Sequence, residues 1–427
     1  MKKAGIGILM AALLLCGCNQ NTTEKEGKTD GSTDTEAVVQ TTEEAVNIFV
    51  VYCQDPLTAE FCRRFKQEHS EIPMRIVENT EKQLAAWERG MDVENEAYPD
   101  LVAVSSGELE TLAKAGLLQP VSDVGITEKD TAQMYDFMKE MGMAEDTLYG
   151  LTWQQTAVKF LYQRNLVQKF LDVEDGEGMQ NAVGEWTSFY TAADAVAQKS
   201  NGKVKLLDTA EEMEDAILSA TPAWYVEDTL HIPDVFMDYM ELYPELLNNQ
   251  LTWGEEKAED TVDKLLDGTV AGCFANAYFI RQTLQQAGAK EGDWGICYGP
   301  QTYAEEAVML AVPVGCSDAA LAQELLKYLT CDQETMEQFA LAKTVPVNHK
   351  EVMDRLAESE EGKDPLLKNQ NIFREYTNAA SRIPTEAPTE QDVLMKELFL
   401  KEMESYFSGK RDIEQTLEHF AKIVEGL

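Results

Sequence analysis

Histidine is scarce in this chain, and basic charge is scarcer than acid. The 427 residues include four histidines: His69, His231, His349 and His419. No two stand at metal-ligand spacing, and none forms an H-E-x-x-H frame. A transition-metal site is therefore not expected, and no cofactor is implied. The Ser-centred elbow G-x-S-x-G and the phosphate-cradling G-x-x-x-x-G-K-[ST] are also missing, so neither common hydrolase nor nucleotide chemistry has a sequence handle. Lys and Arg number 36 against 76 Asp and Glu, which excludes a nucleic-acid partner on charge repulsion alone. Beyond residue 15 no stretch approaches 18 apolar residues, so no transmembrane helix is expected there.

The beginning of the chain is different in kind. Lys2 and Lys3 precede a purely apolar run over residues 4–15. That run is short of the roughly 20 apolar residues a membrane span needs, but it has the length of a signal-peptide core. Leu15-Cys16-Gly17-Cys18 follows and resembles the bacterial lipobox, with small Gly17 before the Cys to be acylated. The expectation is a signal peptide over 1–17, a diacylated Cys18, and a lipid-anchored protein on the outer face of a Gram-positive cell membrane. An ordinary secretory signal with incidental cysteines is the alternative. Without residues 1–17 the chain keeps 34 basic and 76 acidic side chains, a net charge of −42.

Residues 18–45 hold Thr, Glu, Gly, Asp and Lys with few large apolar side chains, the composition of a flexible tether. Order is expected from Val46. Strands at 47–52, 74–77 and 100–104 alternate with helices at 57–69, 81–91 and 108–115, the pattern of an α/β fold with mainly parallel sheets flanked by helices. Further strands are expected at 157–162, 270–274, 294–298 and 307–314. Helical periodicity dominates 210–288 and the residues after Ala319. Of the cysteines beyond Cys18, none forms a C-x-x-C pair. Cys273, Cys297 and Cys316 read as small buried hydrophobes, and Cys53 and Cys62 as free thiols or a pair.

Several stretches together resemble the extracellular solute-binding proteins of bacterial ABC importers. Pro99-Asp100-Leu101-Val102-Ala103-Val104, followed by Ala115-Gly116-Leu117-Leu118-Gln119-Pro120, is similar to that family's "PDLV" strand and its "aGlLqpl" sequel. Trp153 with Leu161-Tyr162-Gln163-Arg164-Asn165-Leu166, Glu185-Trp186-Thr187-Ser188-Phe189, and Asp267-Gly268-Thr269-Val270-Ala271 match later landmarks in order. Asp293-Trp294-Gly295-Ile296, Ala311-Val312-Pro313-Val314-Gly315 and Val345-Pro346-Val347-Asn348 complete them. The nearest branch is the maltose-binding-protein-like family 1. The resemblance implies a type II two-lobed periplasmic-binding-protein-like fold. One lobe would take 46–156 plus 303–345, and the other 157–302 plus 346–427, with the ligand cleft between them. It also implies a monomer that closes on a small-molecule solute, a sugar or oligosaccharide, and docks on the transmembrane subunits of an ABC permease. The family's usual Trp after the 272–276 segment is replaced here by Tyr278 or Phe279.

Ligands of open α/β sheets sit beyond the carboxyl ends of the strands. That rule selects Gln54, Asp55, Ser105 and Ser106, with Ser105 equally able to cap the helix before Glu108. Sugars need an aromatic face and planar polar partners. Trp153 with Gln154 and Gln155 offers both, as do Trp224 with Tyr225 and Asn276 with Tyr278. Each aromatic could instead be core. Arg382 lies where the family returns a late loop to the cleft. Trp87, Trp186 and Trp294 read as structural. The rival readings are a surface lipoprotein that binds protein or polymer, and a carbohydrate-active enzyme with paired carboxylates.

Overall fold

A computed structural model describes residues 48–78, 80–220, 222–226, 229–256, 259–384 and 389–426, and the side chains of Val226 and Glu390 are left aside. The signal-like segment, Cys18 and the tether lie outside these residues.

Two sheets organise the chain. Their strands are β1 (Phe49–Cys53), β2 (Met74–Val77), β3 (Leu101–Ser105), β4 (Leu118–Gln119), β5 (Gly150–Leu151), β6 (Val158–Gln163), β7 (Gly272–Asn276), β8 (Trp294–Cys297) and β9 (Val308–Pro313). The first sheet runs β2-β1-β3-β9-β4, with β5 also on β9; the second runs β7-β6-β8. The α/β architecture is as expected, but the pairing is more mixed than the alternation suggests. Parallel pairs are β1–β2 and β1–β3. Strand β9 returns antiparallel to β3, and β6 is antiparallel to both its neighbours. Sequence alternation sees neighbouring elements, whereas β9 arrives from some two hundred residues downstream.

Local chemistry explains the elements. Strand β1 is buried on both faces and accordingly reads as one apolar run. Helix α1 (Pro56–Glu68) starts on Asp55, whose carboxylate accepts from Thr58 N at 2.7 Å, with Pro56 in the first turn. Its Leu57, Phe61 and Phe65 repeat every four residues and all face the core. Strand β6 separates two hydrophobic cores by simple alternation. Val158, Phe160 and Tyr162 point into a core with Phe189, Trp224 and Phe399, while Leu161 points into the other with Trp294 and Tyr376. Trp87, Trp186 and Trp294 are buried, as expected of structural residues.

One expectation is refined and one corrected. Within the mainly helical 210–288 region, Tyr225–Val226 and Thr229–Leu230 pair as a short antiparallel ladder that the periodicity did not show, and Phe279–Leu284 forms a π-helix. Cys316 is only half-buried. Cys53 and Cys62 are free and buried, and burial pushes the Cys53 thiol up to about 12. Among the described residues no helix is long and apolar enough to cross a membrane.

Candidate functional site

Two crossover segments, 152–157 and 303–307, connect the sheets side by side. Ala157 bridges Ala304, and the Thr156 hydroxyl donates to Glu305 O at 2.6 Å. The carboxyl ends of β1 and β7 face each other beside these crossovers. A cavity of about 190 Å³ lies there, walled by Asp55, Trp153, Asn276, Tyr278, Glu306 and Pro346.

Asp55 belongs to both sides of it. Its Oδ2 caps α1, and its Oδ1 accepts from the Tyr278 hydroxyl at 2.9 Å. Residue 55 follows the first sheet's β1 and residue 278 follows the second sheet's β7, so this hydrogen bond spans the cleft. Burial and the Asp55 carboxylate hold the Tyr278 phenol well above its ordinary range. Asn276 Oδ1 accepts from Phe279 N at 2.8 Å, which starts the π-helix, and its Nδ2 donates to Glu305 at 2.5 Å. Single-turn π-helices recur at functional sites. This one begins at Phe279, directly after Asn276 and Tyr278.

A second cavity of about 290 Å³ adjoins through that Asn276–Glu305 pair. Glu212, Asp215, Glu259 and Glu305 line it together with Phe279 and Tyr303. Glu212 stands on α3 (Glu211–Leu218), four residues before buried Ala216, and is itself buried. Burial raises its carboxyl to about 7, assisted by Asp208. A third cavity, of about 560 Å³, shares Tyr303 and is bounded by Phe137, Met141, Gln180, Tyr298 and Arg382. There the Arg382 guanidinium lies 3.6 Å from the Tyr298 ring centre, and buried Lys159, ion-paired to Glu375, lies 4.1 Å from the same centre.

The structure thus brings Asp55, Asn276, Tyr278, Trp153, Gln154 and Gln155 to one cavity and separates the other candidates from it. Trp153 is a wall rather than a platform: it is 1% exposed, packs edge-on to Phe61, and donates to the Thr58 hydroxyl at 2.8 Å. Gln154 accepts from Val308 N, and Gln155 donates to Tyr376 O, so both amides brace the crossover. Ser105 forms the full capping box of α2 (Ser106–Lys114) with Glu108. Ser106 accepts from Ala307 N. A Cβ at Gly107 would lie 2.6 Å from Glu306 Oε1, so a carboxylate already rests on that helix start, and neither serine faces the cavity. Gln54 is exposed beside Asp55 but lines none of the three cavities.

Trp224 and Tyr225 are the clearest corrections. Trp224 is 1% exposed among Phe236, Phe399 and Phe420, with ring centres 5.2–5.8 Å away. Tyr225 is half-buried against Met395. The apolar faces of the late helices claim both rings. Arg382 reaches the 560 Å³ cavity rather than the Asp55–Tyr278 one.

Sequence reasoning missed Glu212, Asp215, Tyr303, Glu305 and Glu306. In a chain this acidic, a Glu-Glu-Met-Glu-Asp run reads as a solvated face. The available signal was spacing, because residue 212 shares a helix face with Ala216.

A family model described as bacterial extracellular solute-binding protein matches residues 60–367. No curated protein matches this chain in sequence. Solved structures match it closely in fold. An extracellular solute-binding protein of family 1 superposes with TM-score 0.65 at 15% identity, covering 88% of this chain and 98% of that one. A binding protein associated with an ABC transporter of B. animalis subsp. lactis Bl-04, in complex with beta-1,6-galactobiose, gives 0.62 at 15%, covering 89% and 97%. The galacto-N-biose-/lacto-N-biose I-binding protein of Bifidobacterium longum, in complex with lacto-N-biose, gives 0.62 at 14%, covering 88% and 95%. These likenesses establish a two-lobed type II fold.

Proposed function

Because this chain belongs to the bacterial extracellular solute-binding proteins, we propose that it is the capture subunit of an ABC importer for a sugar or oligosaccharide. One observation carries the reading: Asp55 and Tyr278, from the ends of two different sheets, meet across a cavity floored by the crossovers. A solute seated there touches both lobes, and only such a solute can favour the closed arrangement over the open one. The lobes are taken as 46–156 plus 303–345 and 157–302 plus 346–427. Phe279, half-buried on the wall of the acidic cavity, is the aromatic face available for stacking on a sugar ring. Closed, loaded protein then docks on the permease. A lipid on Cys18 and the tether over 18–45 keep it near the membrane, with an r.m.s. reach of roughly 25–30 Å.

Calorimetric titration of the purified chain with a panel of mono- and oligosaccharides tests this. Saturable binding of one sugar, a smaller radius of gyration on loading, and a loss of about tenfold in affinity for Phe279→Ala are expected. Glycoside turnover, or no saturable solute at all, would overturn it.

A further inference from the structure

We infer that the second lobe carries a separate binding site for a neutral glycan chain, centred on Trp253 and remote from the cleft. The other five tryptophans are 1–4% exposed, whereas Trp253 is 45% exposed. A large apolar ring left in water forgoes the stabilisation that burial gives. Its orientation is nevertheless fixed. The indole N–H donates to Thr269 O at 3.1 Å, and the Trp253 backbone N–H donates to Asp208 O at 2.7 Å. The ring is thus exposed and held still, unlike a side chain that merely dangles in solvent.

The surroundings of the ring are the second, independent observation. Trp253 lines a cavity of about 440 Å³ with Lys205, Leu247, Gln250 and Glu255. The Lys205 ammonium lies 5.4 Å from the ring centre and donates to Gln250 O. Gln250 takes a left-handed φ of 52° just after the helix Asp234–Asn248, where glycine is the usual residue. A glutamine there accepts backbone strain and brings a planar amide to the cavity rim. Sugars stack their C–H faces on aromatic rings and hydrogen-bond their hydroxyl edges to amides and charged groups. One ammonium and one carboxylate leave the lining without net charge, which suits a neutral ligand. A protein partner needs clustered apolar anchors, and among the described residues Leu247 is the one aliphatic side chain lining the cavity with the ring. Thr269, which holds the indole, precedes β7, whose other end at Asn276 reaches the Asp55–Tyr278 cavity. Roughly 20 Å of extended chain lies between them. A glycan on Trp253 therefore leaves the cleft free, and holds the lobe against a polymer while the cleft takes small sugars.

The experiment is native affinity electrophoresis of the purified chain through gels containing amylose, mannan, galactan or xylan. At least one polymer is expected to retard the parent, with a dissociation constant of about 1 mM per site. The same polymer should shield the exposed indole from acrylamide quenching. Trp253→Ala should weaken the retardation about tenfold, and Phe279→Ala, in the cleft, should leave it unchanged. Glu255→Ala guards against misfolding of the Trp253 variant. Its side chain is exposed, so it should melt within ~1 °C of the parent yet weaken the retardation about threefold. No retardation by any of the four polymers would overturn the inference. So would retardation unchanged in either lobe-surface variant, or abolished by Phe279→Ala. Binding of small sugars in the cleft, followed by calorimetry, stands or falls separately from each of these results.

Discussion

The two banks of the cleft hold similar residue types and use them in opposite ways. On the first-sheet bank, polar atoms serve the fold. Asp55 and Ser105 cap helices, and Trp153, Gln154 and Gln155 brace the crossover. On the second-sheet bank, Glu212 is buried and meets the backbone N–H groups of Thr209 and Phe274 only at a long 3.4 Å. The first bank is a finished frame, and the second keeps polar capacity in reserve. A ligand should therefore gain its specificity mainly from the second bank, and variants of the two banks should separate into stability and affinity effects.

The largest effect is expected from Trp153→Ala. The ring is almost wholly buried and hydrogen-bonded to Thr58, so its removal should cost about 3–5 kcal/mol in denaturant unfolding. A variant that unfolds like the parent while losing ligand would break the comparison, because Trp153 would then belong to the reserve.

Glu212→Gln comes next and acts through pH. The folded carboxyl titrates near 7 against an ordinary 4.5. The native chain therefore holds a proton that the unfolded chain releases between those values. Stability from this group is complete below the ordinary value and is lost as pH rises through 7. Asp208, Asp215 and Glu305 face the same region and keep the sign unchanged. The amide cannot ionise, so the variant should gain up to roughly 3 kcal/mol over the parent above pH 7, with little difference at acidic pH. Thermal melts across pH read this directly, and parallel curves for the two proteins would sink the assignment.

Much of this division was legible in the sequence, and what was not has a physical cause. The strand ends at Asp55, Ser105 and Asn276 are readable because apolar runs and capping patterns are local signals. Whether an aromatic is wall or platform is not local. Trp153 and Trp224 have sequence contexts as promising as that of Tyr278, yet Phe61 and Phe399, far along the chain from them, pack against their rings. The acids of the second bank were hidden by abundance: in a chain with 76 acidic residues, Glu212 differs from its exposed counterparts only in where α3 packs.

Ser105→Ala sharpens the first bank from the polar side. Losing a capping box should cost about 1 kcal/mol in unfolding and leave solute affinity unchanged. An affinity loss without a stability loss would return Ser105 to the ligand.

Tyr278→Phe has the smallest expected effect on stability and tests the one bond that joins the banks. Its hydroxyl donates to Asp55 Oδ1, while the cap of α1 uses Oδ2, so the variant leaves the helix intact. Both residues are partly exposed, and the net cost should be no more than about 1 kcal/mol in unfolding. The bond exists only when the lobes are close, so its loss should act on the opening equilibrium more than on the fold. A larger mean radius of gyration without ligand, with an almost unchanged melting temperature, is the expected result in solution scattering. An unchanged radius together with a clear loss of stability would make Tyr278 part of the frame and move the boundary between the two banks to the far side of Asn276.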